Sequence, residues 1–95
     1  MRIFADIVGF EWDDGNRRKI LAKHGVLHDA CEEVFQDEKR QVYPDLRHSK
    51  NEERHLIVGK TKKGSLLIVA FTVRSGRIRV ISARPINRKE IKMYE

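Results

Sequence analysis

The sequence has little of several features that mark common protein classes. It contains one cysteine, Cys31, among 95 residues, which excludes an internal disulfide and a zinc site built from cysteine pairs. A reducing cytoplasm is therefore the expected compartment. No apolar run reaches the ~18 residues that a membrane-spanning helix needs. Residues 1–10 do not have the layout of a secretory signal peptide, because Asp6 interrupts a short apolar run.

Common catalytic signatures are also missing. The sequence has neither of the glycine-rich phosphate-binding motifs, GxxxxGK[ST] and GxGxxG. Its four histidines, His24, His28, His48 and His55, lack the HExxH spacing of zinc proteases. No nucleophile elbow of a covalent hydrolase is present. The residues therefore argue against a metal site and against a covalent hydrolase.

Charge is abundant and unevenly distributed. Charged residues make up 36% of the chain, against about 25% in a typical globular domain. Residues 1–53 carry 9 basic and 12 acidic side chains, whereas residues 54–95 carry 11 basic and 2 acidic ones. This asymmetry favours a polyanionic partner, most simply RNA or DNA, over a surface that is merely solvated.

Apolar periodicity predicts one α+β domain spanning residues 1–95, with the element order β-α-α-β-β-β-β-α. The predicted strands cover residues 7–12, 41–43, 54–60, 66–73 and 77–83. The predicted helices cover residues 13–24 and 28–35, and a third begins near Asn87, where Asn87 and Glu90 have capping-box spacing. The run LLIVAFTV at residues 66–73 indicates a central strand buried on both faces. We expect an antiparallel sheet that packs against the N-terminal helical hairpin.

Basic side chains recur at the predicted helix end and along the predicted strands: Lys23, His24, Arg54, Arg74, Arg77, Arg79 and Arg84. This set suits cleavage of RNA without a metal, because the 2′-OH beside each phosphate is itself a nucleophile. Arginine forks bind phosphate oxygens bidentately, and an imidazole exchanges protons near neutral pH. The same residues also fit a solvated sheet face and a helix end whose dipole is complemented by cations.

The chain resembles the BrnT toxins of type II toxin–antitoxin modules over residues 10–95. The resemblance rests on Phe10-Glu11-Trp12-Asp13, Gly15-Asn16, Lys23-His24-Gly25-Val26, Glu33-Val34-Phe35, Pro44-Asp45, His48-Ser49, Asn51-Glu52-Glu53-Arg54, Gly59, Gly64, Phe71-Thr72, Ile78-Arg79-Val80-Ile81-Ser82-Ala83-Arg84, Asn87-Arg88-Lys89-Glu90 and Tyr94-Glu95. It implies a RelE-like fold and a ribonuclease that inhibits translation and uses no metal or organic cofactor. It also implies a BrnA-type antitoxin with a ribbon-helix-helix region, through which the complex binds operator DNA. The chain has Ile20 where the family often carries Asn.

The resulting hypothesis is a metal-independent endoribonuclease that cleaves RNA through attack of the 2′-OH. The candidate catalytic residues are Lys23, His24, Arg54, Arg79 and Arg84, and the candidate RNA-binding residues are Arg74, Arg77, Ser82 and Arg88. In this hypothesis Arg79 and Arg84 hold the scissile phosphate, while Lys23 and His24 supply charge stabilisation and proton transfer. Two alternatives remain: a non-catalytic module that binds nucleic acid, and an assembly protein whose sheet face binds the antitoxin.

Overall fold

A computed structural model describes residues 7–46 and 52–95 of the chain. The elements are β1 (Gly9–Glu11), α1 (Asp14–His24), α2 (His28–Gln36), β2 (Gln41–Pro44), β3 (His55–Lys60), β4 (Leu66–Arg74), β5 (Arg77–Pro85) and a C-terminal 3₁₀ helix (Arg88–Met93). The predicted α+β class and element order are confirmed. His48, Ser49 and Asn51, which contribute to the resemblance, lie outside the described residues. In the parts of the chain that are described, no helix is long and apolar enough to cross a membrane.

The five strands form one sheet in the order β1-β5-β4-β3-β2. Strands β2 to β5 pair antiparallel with their neighbours, whereas β1 pairs parallel with β5. The sequence predicted an antiparallel sheet throughout, and β1 is the exception. Two helices and three strands separate β1 from β5 along the chain, so no tight turn imposes an antiparallel pairing on them.

Capping residues define both ends of α1. The side chain of Asp13 accepts a hydrogen bond of 2.7 Å from the backbone N–H of Asn16, which satisfies one free donor of the first turn. At the other end Gly25 has a left-handed φ of 67° and donates its N–H to the carbonyl of Leu21. Lys23 and His24 therefore occupy the last turn of α1, as predicted.

Helices α1 and α2 cover one face of the sheet. The core between them contains Ile20, Val26, Cys31, Val34, Ile57, Leu67, Val69, Phe71, Ile78, Val80 and Ala83. Gly59 on β3 permits the closest approach, because a Cβ there would lie 2.8 Å from both the carbonyl oxygen and Cγ1 of Val34. Burial raises the pKa of the Cys31 thiol to about 12, so the side chain packs as a small apolar residue.

Strand β4 lies in the middle of the sheet and is buried over most of its length, as predicted from its apolar run. A β-bulge interrupts its pairing with β5: Ala70 faces Ser82, but the next residue, Phe71, faces Val80. The extra residue, Ile81, shifts the alternation of β5, so that Val80 and Ala83 are both buried. The bulge decides which side chains of β5 reach the sheet face that the helices leave open.

The C-terminal 3₁₀ helix packs beside that second face, which we call the open face. The predicted capping box between Asn87 and Glu90 is present, although the helix is 3₁₀ and short. The hydroxyl of Tyr43 on β2 donates to the carbonyl of Met93. The hydroxyl of Tyr94 donates to Asp37, which follows α2, at 2.6 Å. These two hydrogen bonds attach the C-terminal end of the segment to β2 and to the residue that follows α2.

Candidate active site

Three predicted site residues, Arg54, Ser82 and Arg84, line one groove on the open face, with a volume of about 400 Å³. Its other lining residues are Asp45, Leu56, Ile68, Ala70, Ile81, Glu90 and Met93. Arg54 immediately precedes β3, and Ser82 and Arg84 follow the bulge on β5. Apolar side chains and two guanidinium groups line the groove, a combination that suits a phosphate and an adjacent base or sugar. We call it the Arg84 groove.

The guanidinium of Arg84 is engaged by the carboxylate of Glu90 from the 3₁₀ helix. Nη1 donates to Oε1 at 2.7 Å and Nη2 donates to Oε2 at 2.6 Å. Nη1 also donates to the carbonyl of Pro85 at 3.2 Å. The hydrogen bonds from Arg84, followed by the backbone N–H of Asn87, lower the pKa of Glu90 to about 2. The carboxylate is therefore charged at any physiological pH and occupies both terminal nitrogens of the fork.

Arg74, Arg77 and Arg79 extend the same face towards the β4–β5 turn, because the pairing register places them with Thr72 on one side of the sheet. Arg74 makes a bidentate contact with Glu52 at 3.0 and 2.8 Å. Its hydrogen bonds lower the pKa of the Glu52 carboxyl group. Arg77 is exposed and forms no ion pair with a residue of the described ranges.

Arg79 lies between two carboxylates from the N-terminal part of the chain. Its Nη1 is 3.4 Å from Glu11, and its Nη2 is 3.2 Å from Asp13. Asp13 is at the same time the N-cap of α1, and the backbone N–H of Asn16 is the main reason that the pKa of Asp13 is lowered. Arg79 therefore links β5 to the start of α1 as well as facing the open side of the sheet.

Lys23, His24 and Arg88 lie elsewhere. His24 and Arg88 line a second, larger groove of about 840 Å³ between the start of α2, the β3–β4 turn and the 3₁₀ helix. Lys23 is exposed on the last turn of α1. The 3₁₀ helix separates the two grooves, since Arg88 and Ile91 line the larger one while Glu90 and Met93 line the Arg84 groove. Of the predicted catalytic residues, Arg54 and Arg84 thus line one groove and His24 lines the other, while Lys23 and Arg79 line neither.

Sequence reasoning missed two acidic residues of the Arg84 groove, Asp45 and Glu90. Glu90 was identified as part of a capping box, and this spacing gives no sign that its carboxylate also reaches Arg84. Asp45 follows β2 directly, and its backbone N–H donates to the carbonyl of Arg54 at 2.9 Å. Within residues 7–46 and 52–95, no three His, Cys, Asp or Glu side chains group as metal ligands would.

Comparison with known proteins identifies one family for this chain. A sequence model described as the ribonuclease toxin BrnT of type II toxin–antitoxin systems matches residues 12–90. The search of curated proteins found no match. The structure is similar to the 1.1 Å crystal structure of the Brucella abortus ribonuclease toxin BrnT, with a TM-score of 0.63 and 24% sequence identity, over 84% of this chain and 97% of that one. At 24% identity the structural similarity shows the fold alone. The family model, in contrast, matches most of the sequence. The chain belongs to the BrnT family of ribonuclease toxins of type II toxin–antitoxin systems.

Proposed function

We propose that this chain is an endoribonuclease that cleaves RNA without a metal ion, with the Arg84 groove as the place where the scissile phosphate binds. The observation that supports this most directly is the gathering of Arg54, Ser82 and Arg84 in one groove. Arg77 and Arg79 continue the basic surface along β5. A single strand of RNA that follows this surface meets guanidinium groups over its length.

The proposed reaction uses the RNA's own nucleophile. The 2′-oxygen forms a bond to the adjacent phosphorus and loses its proton, while the bond from phosphorus to the 5′-oxygen of the next nucleotide breaks. That 5′-oxygen takes up a proton and leaves as a 5′-OH. The other product ends in a 2′,3′-cyclic phosphate, which water can open to a 3′-phosphate. Negative charge develops on the phosphorane oxygens, and a guanidinium fork stabilises such charge through paired hydrogen bonds.

Within this proposal Arg84 and Arg54 contact the scissile phosphate. Arg79, which the hypothesis from the sequence put on that phosphate, does not line the groove and holds the neighbouring backbone instead. Arg74, Arg77, Ser82 and Arg88 bind the rest of the RNA. Lys23 and His24 stay predictions for charge stabilisation and proton transfer. Because His24 lines the other groove, its participation requires RNA that passes the 3₁₀ helix and reaches both grooves. His24→Ala tests this contribution separately from the contribution of Arg84.

The proposal extends to the partner and the cellular effect. We propose that RNA cleavage by this chain inhibits translation in the cytoplasm, and that a BrnA-type antitoxin with a ribbon-helix-helix region neutralises it. Operator DNA is bound only through the complex with that antitoxin. Membership of a toxin–antitoxin family supports this part of the proposal. Expression of the chain alone is expected to arrest growth, and coexpression of such an antitoxin is expected to restore it.

Cleavage of a defined single-stranded RNA in EDTA tests the chemistry. The expected products carry 5′-OH and 2′,3′-cyclic phosphate or 3′-phosphate ends, as read by gel and mass spectrometry. A matched RNA with a 2′-deoxynucleotide at the cleaved position is expected to stay intact there, because it lacks the nucleophile. Products with 5′-phosphate ends, or cleavage at the deoxynucleotide, would contradict the proposed mechanism. Binding of RNA by the folded chain without cleavage, both alone and in a translation extract, would favour the non-catalytic alternative.

A further inference from the structure

The C-terminal 3₁₀ helix places an anion where the proposed function places a phosphate. The two oxygens of Glu90 bond to the two terminal nitrogens of Arg84 at 2.7 and 2.6 Å, in the fork geometry with which arginine also binds phosphate. Glu90 is fixed by its own capping box, since its Oε1 accepts the N–H of Asn87 at 2.9 Å. A phosphate that uses both Nη atoms of Arg84 must therefore displace Glu90.

From this geometry we propose that Glu90 is a self-inhibitory carboxylate, and that the segment Asn87–Tyr94 is a strap that holds it on Arg84 until extended RNA displaces it. The inference rests on the proposed function in one respect, namely that Arg84 binds an RNA phosphate. It adds a regulatory and specificity role to a residue whose sequence spacing indicates only helix capping.

The strap can open at a low cost in free energy. None of the six residues in its 3₁₀ helix is buried, and 3₁₀ hydrogen bonds have poorer geometry than those of an α-helix. Beyond the Arg84–Glu90 pair, side-chain hydrogen bonds hold its far end, from Tyr43 to Met93 and from Tyr94 to Asp37. Segments with few buried apolar contacts open with free energies well below that of global unfolding.

The side chain of Arg84 is 39% exposed and that of Glu90 is 19% exposed. A competing anion can therefore approach the guanidinium from solvent without disrupting the core. Such a partly exposed pair contributes only modestly to stability, so its loss is readily offset by new contacts.

The surrounding charges indicate which anion can displace Glu90 from Arg84. An isolated phosphate only replaces the Glu90 carboxylate on Arg84 with another anion. Extended RNA brings neighbouring phosphates to Arg77 and Arg79 on the same face, and each contact adds favourable counterion release. The strap is therefore expected to discriminate against mononucleotides and inorganic phosphate and to admit RNA chains.

Binding of a fluorescent single-stranded RNA with 2′-O-methyl groups throughout measures the strap without cleavage. Glu90→Gln removes the charge and keeps a side-chain acceptor suited to the capping box, so the helix start is preserved. We expect it to bind this RNA about five-fold more tightly than the wild type. Glu95→Gln changes the charge equally without touching Arg84 and is expected to bind like the wild type. Tyr94→Phe, which frees the far end of the strap, is expected to tighten binding about two-fold.

Glu90→Gln in an Arg84→Ala background completes the test. The gain from Glu90→Gln is expected to vanish there, because the strap acts through Arg84. A gain that persists without Arg84, an equal gain from Glu95→Gln, or weaker binding by Glu90→Gln would each overturn the proposal. If Arg84→Ala weakens binding but Glu90→Gln leaves it unchanged, the strap is refuted and the phosphate role of Arg84 stands. If Arg84→Ala binds as the wild type does, the phosphate role itself fails.

Discussion

The arginines of the open face differ in their carboxylate partners, and these partners determine how each arginine can bind RNA. Arg74 and Arg84 are engaged bidentately by Glu52 and Glu90, while Arg77 has no such partner in the described ranges. Carboxylate pairs keep the guanidinium planes oriented, but they also compete with phosphate. Charge counting from the sequence identified the basic residues and not these partners. Glu52 is 22 residues from Arg74, and only the fold brings such distant residues together.

Acid titration tests the Arg84–Glu90 pair. The pKa of Glu90 is lowered from 4.5 to about 2 in the folded chain, so the folded state favours the charged carboxylate. Its stabilising contribution is complete above about pH 5 and is lost as the pH falls through 4.5 towards 2. We expect the melting temperature of the wild type to fall more steeply over this interval than that of Glu90→Gln.

Glu95→Gln is the matched control for this titration and is expected to retain the wild-type profile. The melting temperature of Glu90→Gln still falls somewhat at acid pH, because the pKa values of two other carboxyl groups are also lowered. The Asn16 N–H lowers that of Asp13, and Arg74 lowers that of Glu52. Identical acid profiles for the wild type and Glu90→Gln would show that the pair does not stabilise the folded chain.

At the scale of elements, strand β5 shows both the reach and the limit of sequence reasoning. Alternation along residues 77–80 puts Arg77 and Arg79 on one face and Ile78 and Val80 on the other, as in the structure. Strict alternation, continued along the strand, puts Arg84 on the face opposite Arg79. The bulge at Ile81 reverses this, and the two arginines share the open face. No turn or breaker residue marks the bulge, so this part of the site could not be predicted from the strand pattern.

The helices were more predictable than the site. Asp13 and Gly25 mark the ends of α1 through local capping chemistry, which a sequence displays directly. The parallel pairing of β1 with β5 and the position of the 3₁₀ helix over the sheet depend on contacts between remote segments. Lys23 and His24 were therefore placed correctly on α1, while their separation from the Arg84 groove was not foreseen.

Packing of α2 on β3 gives a test of the fold at Gly59. An added Cβ would lie 2.8 Å from the carbonyl oxygen and Cγ1 of Val34, so α2 must shift away from the sheet. We expect Gly59→Ala to lower the free energy of unfolding by about 1–3 kcal/mol, measured by urea denaturation.

Gly15→Ala provides the matched glycine control. A Cβ at Gly15, in the first turn of α1, meets only the Asp13 carboxylate at 3.4 Å. Alanine is the better helix former by about 0.5–1 kcal/mol, so this variant is expected to be as stable as the wild type or more stable. Equal stability of Gly59→Ala and the wild type would contradict the close contact between α2 and β3.

At the scale of the whole molecule, the charge asymmetry of the sequence becomes an uneven distribution of basic side chains over the structure. The basic second half of the chain forms β3, β4, β5 and the 3₁₀ helix. This distribution makes RNA binding sensitive to salt, because each contact with a single-stranded phosphate contributes about 0.7 to the slope of log affinity against log salt. Replacing Arg54, Arg77 and Arg84 with alanine is expected to reduce the magnitude of that slope by about 2.

A triple replacement in α1 controls for net charge. Alanine at Arg17, Arg18 and Lys19 removes the same charge from the helical layer, and we expect the salt slope to stay near the wild-type value. Fluorescence anisotropy over a range of potassium chloride concentrations measures both variants. Equal reductions in slope would show that the open face has no special role in binding RNA.

In the proposed mechanism RNA is cleaved on the open face at Arg84. The most direct measurement compares the cleavage rate of one defined single-stranded RNA, in EDTA, by the wild type, Arg84→Ala and Arg18→Ala, with folding of each verified by circular dichroism. The two variants lose the same charge, from the Arg84 groove and from α1 respectively. We expect Arg84→Ala to cleave about 100-fold or more slowly and Arg18→Ala to cleave at the wild-type rate. Cleavage by folded Arg84→Ala at the wild-type rate would contradict the claim.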